Sequence, residues 1–163
     1  MTVICNATPL INFAAINRLD ILETAFVQIV IPQAVYDETT VRGFLGSEFV
    51  LQAISSKWLQ VRSVSTIAPN IPPELDKGER EAIALVLEIG EQRILLDERE
   101  ARQVAQSLGL QVIGTLGILL LAKNREIITQ VQPLLDAMID SAQYWVSRTL
   151  YEQVLRQAGE LIE

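Results

Sequence analysis

The chain has 163 residues, with 13 Lys and Arg against 20 Asp and Glu, a formal net charge of −7, and half of its residues hydrophobic. That is enough for one domain with a sizeable core, and its apolar runs are interrupted well before the roughly 18 consecutive positions a membrane span requires. The absence of histidine excludes a serine-histidine triad, an imidazole zinc site and imidazole acid–base chemistry, and the acidic balance excludes holding a long nucleic acid by phosphate neutralisation alone.

One globular domain over residues 1–163 is expected, with a core over about 2–128 and C-terminal helices over about 129–158. The start, MTVICNATP, has no basic segment before its brief apolar stretch, so a secretion signal is not expected and the cytoplasm is the expected compartment. The lone cysteine, Cys5, lies in an apolar strand context that suits a buried structural thiol.

Residues 2–5 (TVIC) read as a strand, and Thr8-Pro9 as the start of a helix running to about Ile16, with Thr8 at the N-cap and Pro9 at the first helical position. A helix from Leu19 to about Ala25 leads into a second strand at 27–31 (VQIVI), after which Pro32 opens a helix carrying Asp37 and Glu38. A helix at 47–55 and a strand at 59–64 follow, and then a Pro-containing surface loop, STIAPNIPPEL. In DKGEREAIALVLEIG (76–90), Asp76 and Glu79 have capping-box spacing ahead of a helical apolar pattern, and Gly90 supplies the stop. Two more strand-helix units come next: RILLD (93–97) into 98–108, closed by Gly109, and QVIG (111–114) into 115–123. Helices at about 129–141 and 147–158 complete the chain. Repeated strand-helix alternation predicts an α/β fold with a parallel sheet covered on both faces, because parallel strands need crossover connections.

In such sheets ligands sit beyond the carboxyl ends of the strands. Asn6 follows the first strand, Glu38 lies on the helix after the second, Glu79 opens a later helix, and Asp97 and Glu98 end the RILL strand. Carboxylates gathered from these elements would repel one another, and a bound Mg²⁺ or Mn²⁺ would relieve that repulsion and serve phosphodiester hydrolysis. Each residue also has a plainer role. Glu79 taken singly is better read as half of a capping box, and Asp97 is as well suited to capping as to ligation. Glu81 fits solvated helix surface, Glu98 and Glu100 complement a helix dipole, and Asp37-Glu38 fits an exposed pair. Thr8 and Thr115 are caps first, although a hydroxyl beside free N–H groups can hold a phosphate. Arg99, Arg102, Lys123 and Arg125 suit solvated surface better than a backbone grip, and Trp58 and Trp145 suit core or interface better than base stacking.

Taken together and in order, NATPLI, IPQAVYDE, GEREAIALVLE, LLDEREAR and VIGTLGILLLAK resemble the PIN-domain superfamily over about residues 2–155. The likeness is to its uncharacterised bacterial branch of predicted nucleic-acid-binding proteins, related to VapC-type toxins. The resemblance implies a three-layer α/β/α fold with a mainly parallel central sheet and a Mg²⁺- or Mn²⁺-dependent ribonuclease site. It also implies RNA as substrate, a small antitoxin as partner and a homodimer. Residue by residue, it places Asn6, Glu38, Glu79 and Asp97 at the catalytic metal-ligand positions, with Glu81 and Glu98 as nearby alternates and Thr8, Arg99 and Thr115 in support. Asn6 stands where that superfamily has an aspartate. An amide offers a carbonyl oxygen without charge, so metal affinity is expected to fall and activity with it.

The expected function is therefore the toxin ribonuclease of a toxin–antitoxin module, impaired at Asn6. The alternative is a non-catalytic module that binds RNA or protein. A small-molecule phosphatase or nucleotide-binding domain ranks last, because neither a P-loop nor G-x-G-x-x-G follows the first strand. The apolar C-terminal residues, among them Leu135, Met138, Trp145, Leu150, Val154 and Leu155, fit internal core and self-association equally well.

Overall fold

The computed structural model describes residues 2–41 and 44–161. Short runs rich in Val, Ile and Leu form five strands: β1 (Thr2–Cys5), β2 (Gln28–Pro32), β3 (Leu59–Arg62), β4 (Arg93–Leu95) and β5 (Gln111–Ile113). All pair in parallel in the order β3-β2-β1-β4-β5. Among the described residues nine helices complete the fold: α1 (Ala7–Ala15), α2 (Leu19–Phe26), α3 (Gln33–Thr39), α4 (Ser47–Ser55), α5 (Lys77–Ile89), α6 (Arg99–Ser107), α7 (Thr115–Asn124), α8 (Gln132–Ser141) and α9 (Arg148–Gln157).

Successive strand residues face opposite sides, which splits the apolar side chains into two cores. Val3, Cys5, Ile29, Ile31 and Leu95 enter one core with residues of α1, α2, α4, α7, α8 and α9. Ile4, Val30, Ile94 and Leu96 enter the other, with residues of α5 and α6. The result is the three-layer α/β/α arrangement. Cys5 is buried within it as a free thiol. No helix among the described residues is long and apolar enough to cross a membrane.

Two N-caps differ from expectation. α1 begins at Ala7 with Asn6, not Thr8, at the N-cap. The cause is the ladder: the Asn6 N–H still donates to the Leu95 carbonyl at 2.9 Å, so the strand hands over to the helix without a spare turn residue. Pro9 is tolerated at the third helical position because first-turn N–H groups have no intrahelical acceptor. Likewise Gly114, not Thr115, caps α7.

Leu135, Met138, Val154 and Leu155 are core, whereas Leu150 and Trp145 are exposed, Trp145 by 83%, so of the two roles expected for these residues internal core holds only for the first group. Glu160 fastens the C-terminal segment. Its carboxylate accepts from the Val131 and Gln132 amides at 2.7 and 2.9 Å, at the start of α8, and pairs with Lys123 at 2.9 Å.

The strand order positions the site. The chain runs outward from β1 through β2 to β3, then crosses back to place β4 on the other side of β1. The order in which strands are added therefore reverses between β1 and β4, and at such a switch point the loops beyond the strand ends part and leave a crevice.

Candidate functional site

Asn6 directly follows β1 and Asp97 lies two residues beyond β4, so they flank the switch point. α3 and the first turn of α5 close the crevice on the Asn6 side. The order of sheet and helices thus brings four of the expected positions to one edge.

Asn6 is 3% exposed, and its Oδ1 is fully buried with no hydrogen-bond partner. An orphaned acceptor of this kind costs about 1–3 kcal/mol. It faces Gly78, the second residue of α5: a Cβ at Gly78 would lie 3.3 Å from Asn6 Oδ1 and 3.2 Å from Glu38 Oε1. The missing side chain therefore leaves a niche bordered by an amide oxygen and a carboxylate oxygen. Burial first, and then the charges of Asp76 and Glu98, raises the Glu38 carboxyl above the usual carboxylate range.

Glu79, 6% exposed, forms the capping box read from the sequence. Its backbone N–H donates to Asp76 Oδ1 at 2.8 Å, and its Oε1 accepts from the Asp76 N–H at 3.1 Å. Burial again leads in raising its carboxyl, opposed by the Asp76 amide and reinforced by the charges of Asp76, Glu98 and Glu38. The capping role thus leaves Glu79 within the electrostatic reach of Glu38 and Glu98. Glu81 instead bridges two helices, since its Oε1 accepts from Ala34 N–H at 3.0 Å and ties α5 to the first turn of α3.

On the other side of the crevice Asp97 caps α7, not the helix that follows it. Oδ1 accepts from Thr115 N–H at 2.8 Å and Oδ2 from Thr115 Oγ1 at 2.5 Å. The Thr115 hydroxyl in turn accepts from Asn12 Nδ2 at 3.1 Å, deep under the site. Burial dominates in raising the Asp97 carboxyl, opposed by Thr115, the Arg102 charge and the Tyr144 phenol. Gly114 makes room here, since a Cβ on it would lie 2.9 Å from both Asp97 Oδ1 and Arg102 Nη1. Glu98 caps α6 without a side-chain bond to it, and Thr8 Oγ1 donates to Glu98 Oε1 at 3.4 Å. Arg99 is exposed along the cleft that starts at Asp97.

Asn12, Gly78 and Tyr144 were not among the expected site residues. Asn12 had a signal: an amide inside the apolar run LINFAA must find a buried partner. Gly78 and Tyr144 had none, because their roles arise from contacts across the fold.

Among the described residues no three Asp, Glu, Cys or His side chains converge tightly enough to cage a metal. The donor set beside Gly78 nevertheless fits a hard divalent cation. It consists only of oxygens, one of them buried and unpaired, with carboxylates nearby whose ionisation is opposed first by burial and then by mutual repulsion, a cost that a cation would relieve.

Over residues 2–160 the sequence matches the family model DUF3368, a PIN domain. The chain belongs to the PIN-domain family. Among solved structures this PIN domain is similar to a PilT N-terminus domain protein, SSO1118, of the hyperthermophilic archaeon Sulfolobus solfataricus P2. Identity is 16%, coverage is 91% of this chain and 99% of that chain, and the TM-score is 0.45. No curated protein matches. PIN domains are generally nucleases and typically use divalent metal ions.

Proposed function

We propose that this PIN domain is a Mg²⁺- or Mn²⁺-dependent ribonuclease, the cytoplasmic toxin of a toxin–antitoxin module neutralised by a small antitoxin, with activity reduced by Asn6. The observation that carries the reading is the niche beside Gly78, bordered by the orphaned Asn6 Oδ1 and by Glu38 Oε1 at the switch point of the sheet.

Asn6 and Glu38 would hold the ion, with the outer oxygen of Glu79 and the carboxylate of Asp97 adding charge from either side. When bound, such an ion supplies Lewis-acid stabilisation of the charge that builds on a phosphodiester. The chain's own residues set the frame for that chemistry. The Asp76–Glu79 box fixes the first turn of α5, and with it Gly78 and the niche. Thr115 holds both oxygens of Asp97, so that carboxylate cannot swing. Thr8 anchors Glu98 at the rim. Because Asn6 contributes no charge, the niche attracts a cation less strongly than an aspartate in its place would.

The test is Mn²⁺-dependent cleavage of RNA by the wild type and by Glu38→Gln. The reading expects cleavage that chelation abolishes and that Glu38→Gln lowers by at least about a hundredfold, on the scale of losing transition-state charge stabilisation. Equal cleavage by both proteins would reject the site.

A second reading, a non-catalytic RNA- or protein-binding module, draws on one observation: no three-acid cage forms among the described residues. It expects RNA or partner binding without turnover at any Mn²⁺ concentration.

A further inference from the structure

The crevice does not end at Asp97. A cleft of about 1090 Å³ runs from Asp97 and Glu98 past Arg99 and Arg102 to Trp145. That is just above the roughly 300–1,000 Å³ that holds a drug-sized ligand, so it has room for a segment of a polymer. Its wall mixes the polar residues of the site with apolar residues such as Leu116, Leu120 and Val154.

Trp145 is placed there by its neighbour. Tyr144, half-buried, turns its phenol toward Asp97 and Thr115, and burial followed by the Asp97 charge pushes that phenol well above its ordinary range. The α8–α9 connection is thereby pinned at Tyr144, and the next residue presents its indole outward, 83% exposed. No other large hydrophobic residue among those described is as exposed. Arg99 and Arg102 lie one helical turn apart on α6 and both line the cleft. Among the described residues neither forms an ion pair with a carboxylate.

We propose that this cleft is a subsite for single-stranded RNA, in which Trp145 stacks on a base beyond the scissile position and Arg99 and Arg102 hold the intervening phosphate. The inference rests on the ribonuclease reading of the adjoining niche, which it extends to the substrate. Guanidinium groups along the wall and a solvent-facing indole at the other end match a polyanion with aromatic bases. A protein helix would need a continuous apolar seat, and Asp97, Glu98 and the two arginines interrupt one.

The experiment titrates a short, fluorescently labelled, ribose-methylated oligoribonucleotide in EDTA against the wild type, Trp145→Ala, Trp145→Leu and Trp145→Phe. Thermal unfolding of each variant controls for folding. Loss of one base stack weakens binding about tenfold in Trp145→Ala and Trp145→Leu, while Trp145→Phe stays within about threefold of the wild type. Arg99→Gln lowers the slope of log affinity against log salt by about 0.7.

Wild-type affinity in Trp145→Ala overturns the proposal. So does Trp145→Leu binding as well as Trp145→Phe, because bulk without a π-face would then suffice, as at a protein interface. Mn²⁺-dependent cleavage by the same proteins separates the two readings. Trp145-dependent binding without any turnover leaves the subsite standing and rejects the ribonuclease. Turnover with no effect of Trp145→Ala on binding does the reverse.

Discussion

Gly78→Ala separates the niche from the fold. At this second position of α5 the backbone has no left-handed angle, so alanine meets no conformational penalty and gains some of its helix advantage over glycine, up to about 1 kcal/mol. The new methyl meets Glu38 Oε1 at 3.2 Å, Asn6 Oδ1 at 3.3 Å and Val35 Cγ2 at 3.5 Å. The first two contacts are tighter than ordinary, so both oxygens must give way by a few tenths of an ångström. A small divalent cation needs its oxygens at about 2.0–2.2 Å in near-ideal geometry, and a methyl in contact with both donors denies it that approach. The expected outcome is a melting temperature within about 3 °C of the wild type, corresponding to about 1 kcal/mol or less. Mn²⁺ affinity by calorimetric titration should fall at least about tenfold, a loss of about 1.4 kcal/mol. Wild-type Mn²⁺ affinity in a well-folded Gly78→Ala protein would refute the reasoning, because the ion would then bind somewhere other than between these oxygens.

Two further predictions concern stability. Glu160→Gln removes a carboxylate whose side chain is 8% exposed, and with it two charge-assisted amide bonds and the partner of Lys123, at a cost of about 2 kcal/mol at neutral pH by denaturant unfolding. Burial opposes the charge on Glu160, but the two amides and Lys123 outweigh it and hold the carboxyl below its usual range. Its stabilisation is therefore complete above the unfolded value of about 4.3 and is lost as pH falls through the lower folded value, so the gap between variant and wild type should close on acidification. A gap that persists unchanged at pH 3, well below about 4.3, would contradict this. Thr115→Val deletes the hydroxyl between Asp97 and Asn12 and leaves a buried amide without its partner, which costs about 1–3 kcal/mol, while Thr115→Ser restores most of it. Equal stability of the valine and serine variants would count against that bridge.

The fold was legible because each strand-helix unit carries its own local signals. Asp76 with Glu79 reads as a capping box and forms one, and Gly90 adopts the left-handed angle its position after α5 suggested. Ile4 and Val3 point to opposite cores as strand alternation requires. The site was legible only in part. Asn6 and Asp97 announce themselves as polar residues just past apolar strands, and Glu38 as an acid on the helix after one, but their partners come from elsewhere in the chain. That Asp97 caps α7 and not α6 depends on β5 lying beside β4, which no local window shows. The Gly78 niche depends on α3 crossing over α5, and the exposure of Trp145 depends on Tyr144 being claimed by Asp97. Glu160, distant in sequence from Val131 and Lys123, carries no signal at all until α7, α8 and α9 are packed together.

On the proposed ribonuclease reading, Asn6 marks a weakened metal site at the switch point of the sheet. The most direct measurement is Mn²⁺-dependent RNA cleavage by the wild type beside Asn6→Asp. Without metal, the variant buries a second carboxylate next to Glu38 and should lose about 1–3 kcal/mol of stability, which added Mn²⁺ restores. With metal, the added charge should tighten Mn²⁺ binding and raise cleavage at subsaturating metal by at least about tenfold, equivalent to about 1.4 kcal/mol. Absence of cleavage in both proteins, with no rescue of Asn6→Asp stability by Mn²⁺, would contradict the account.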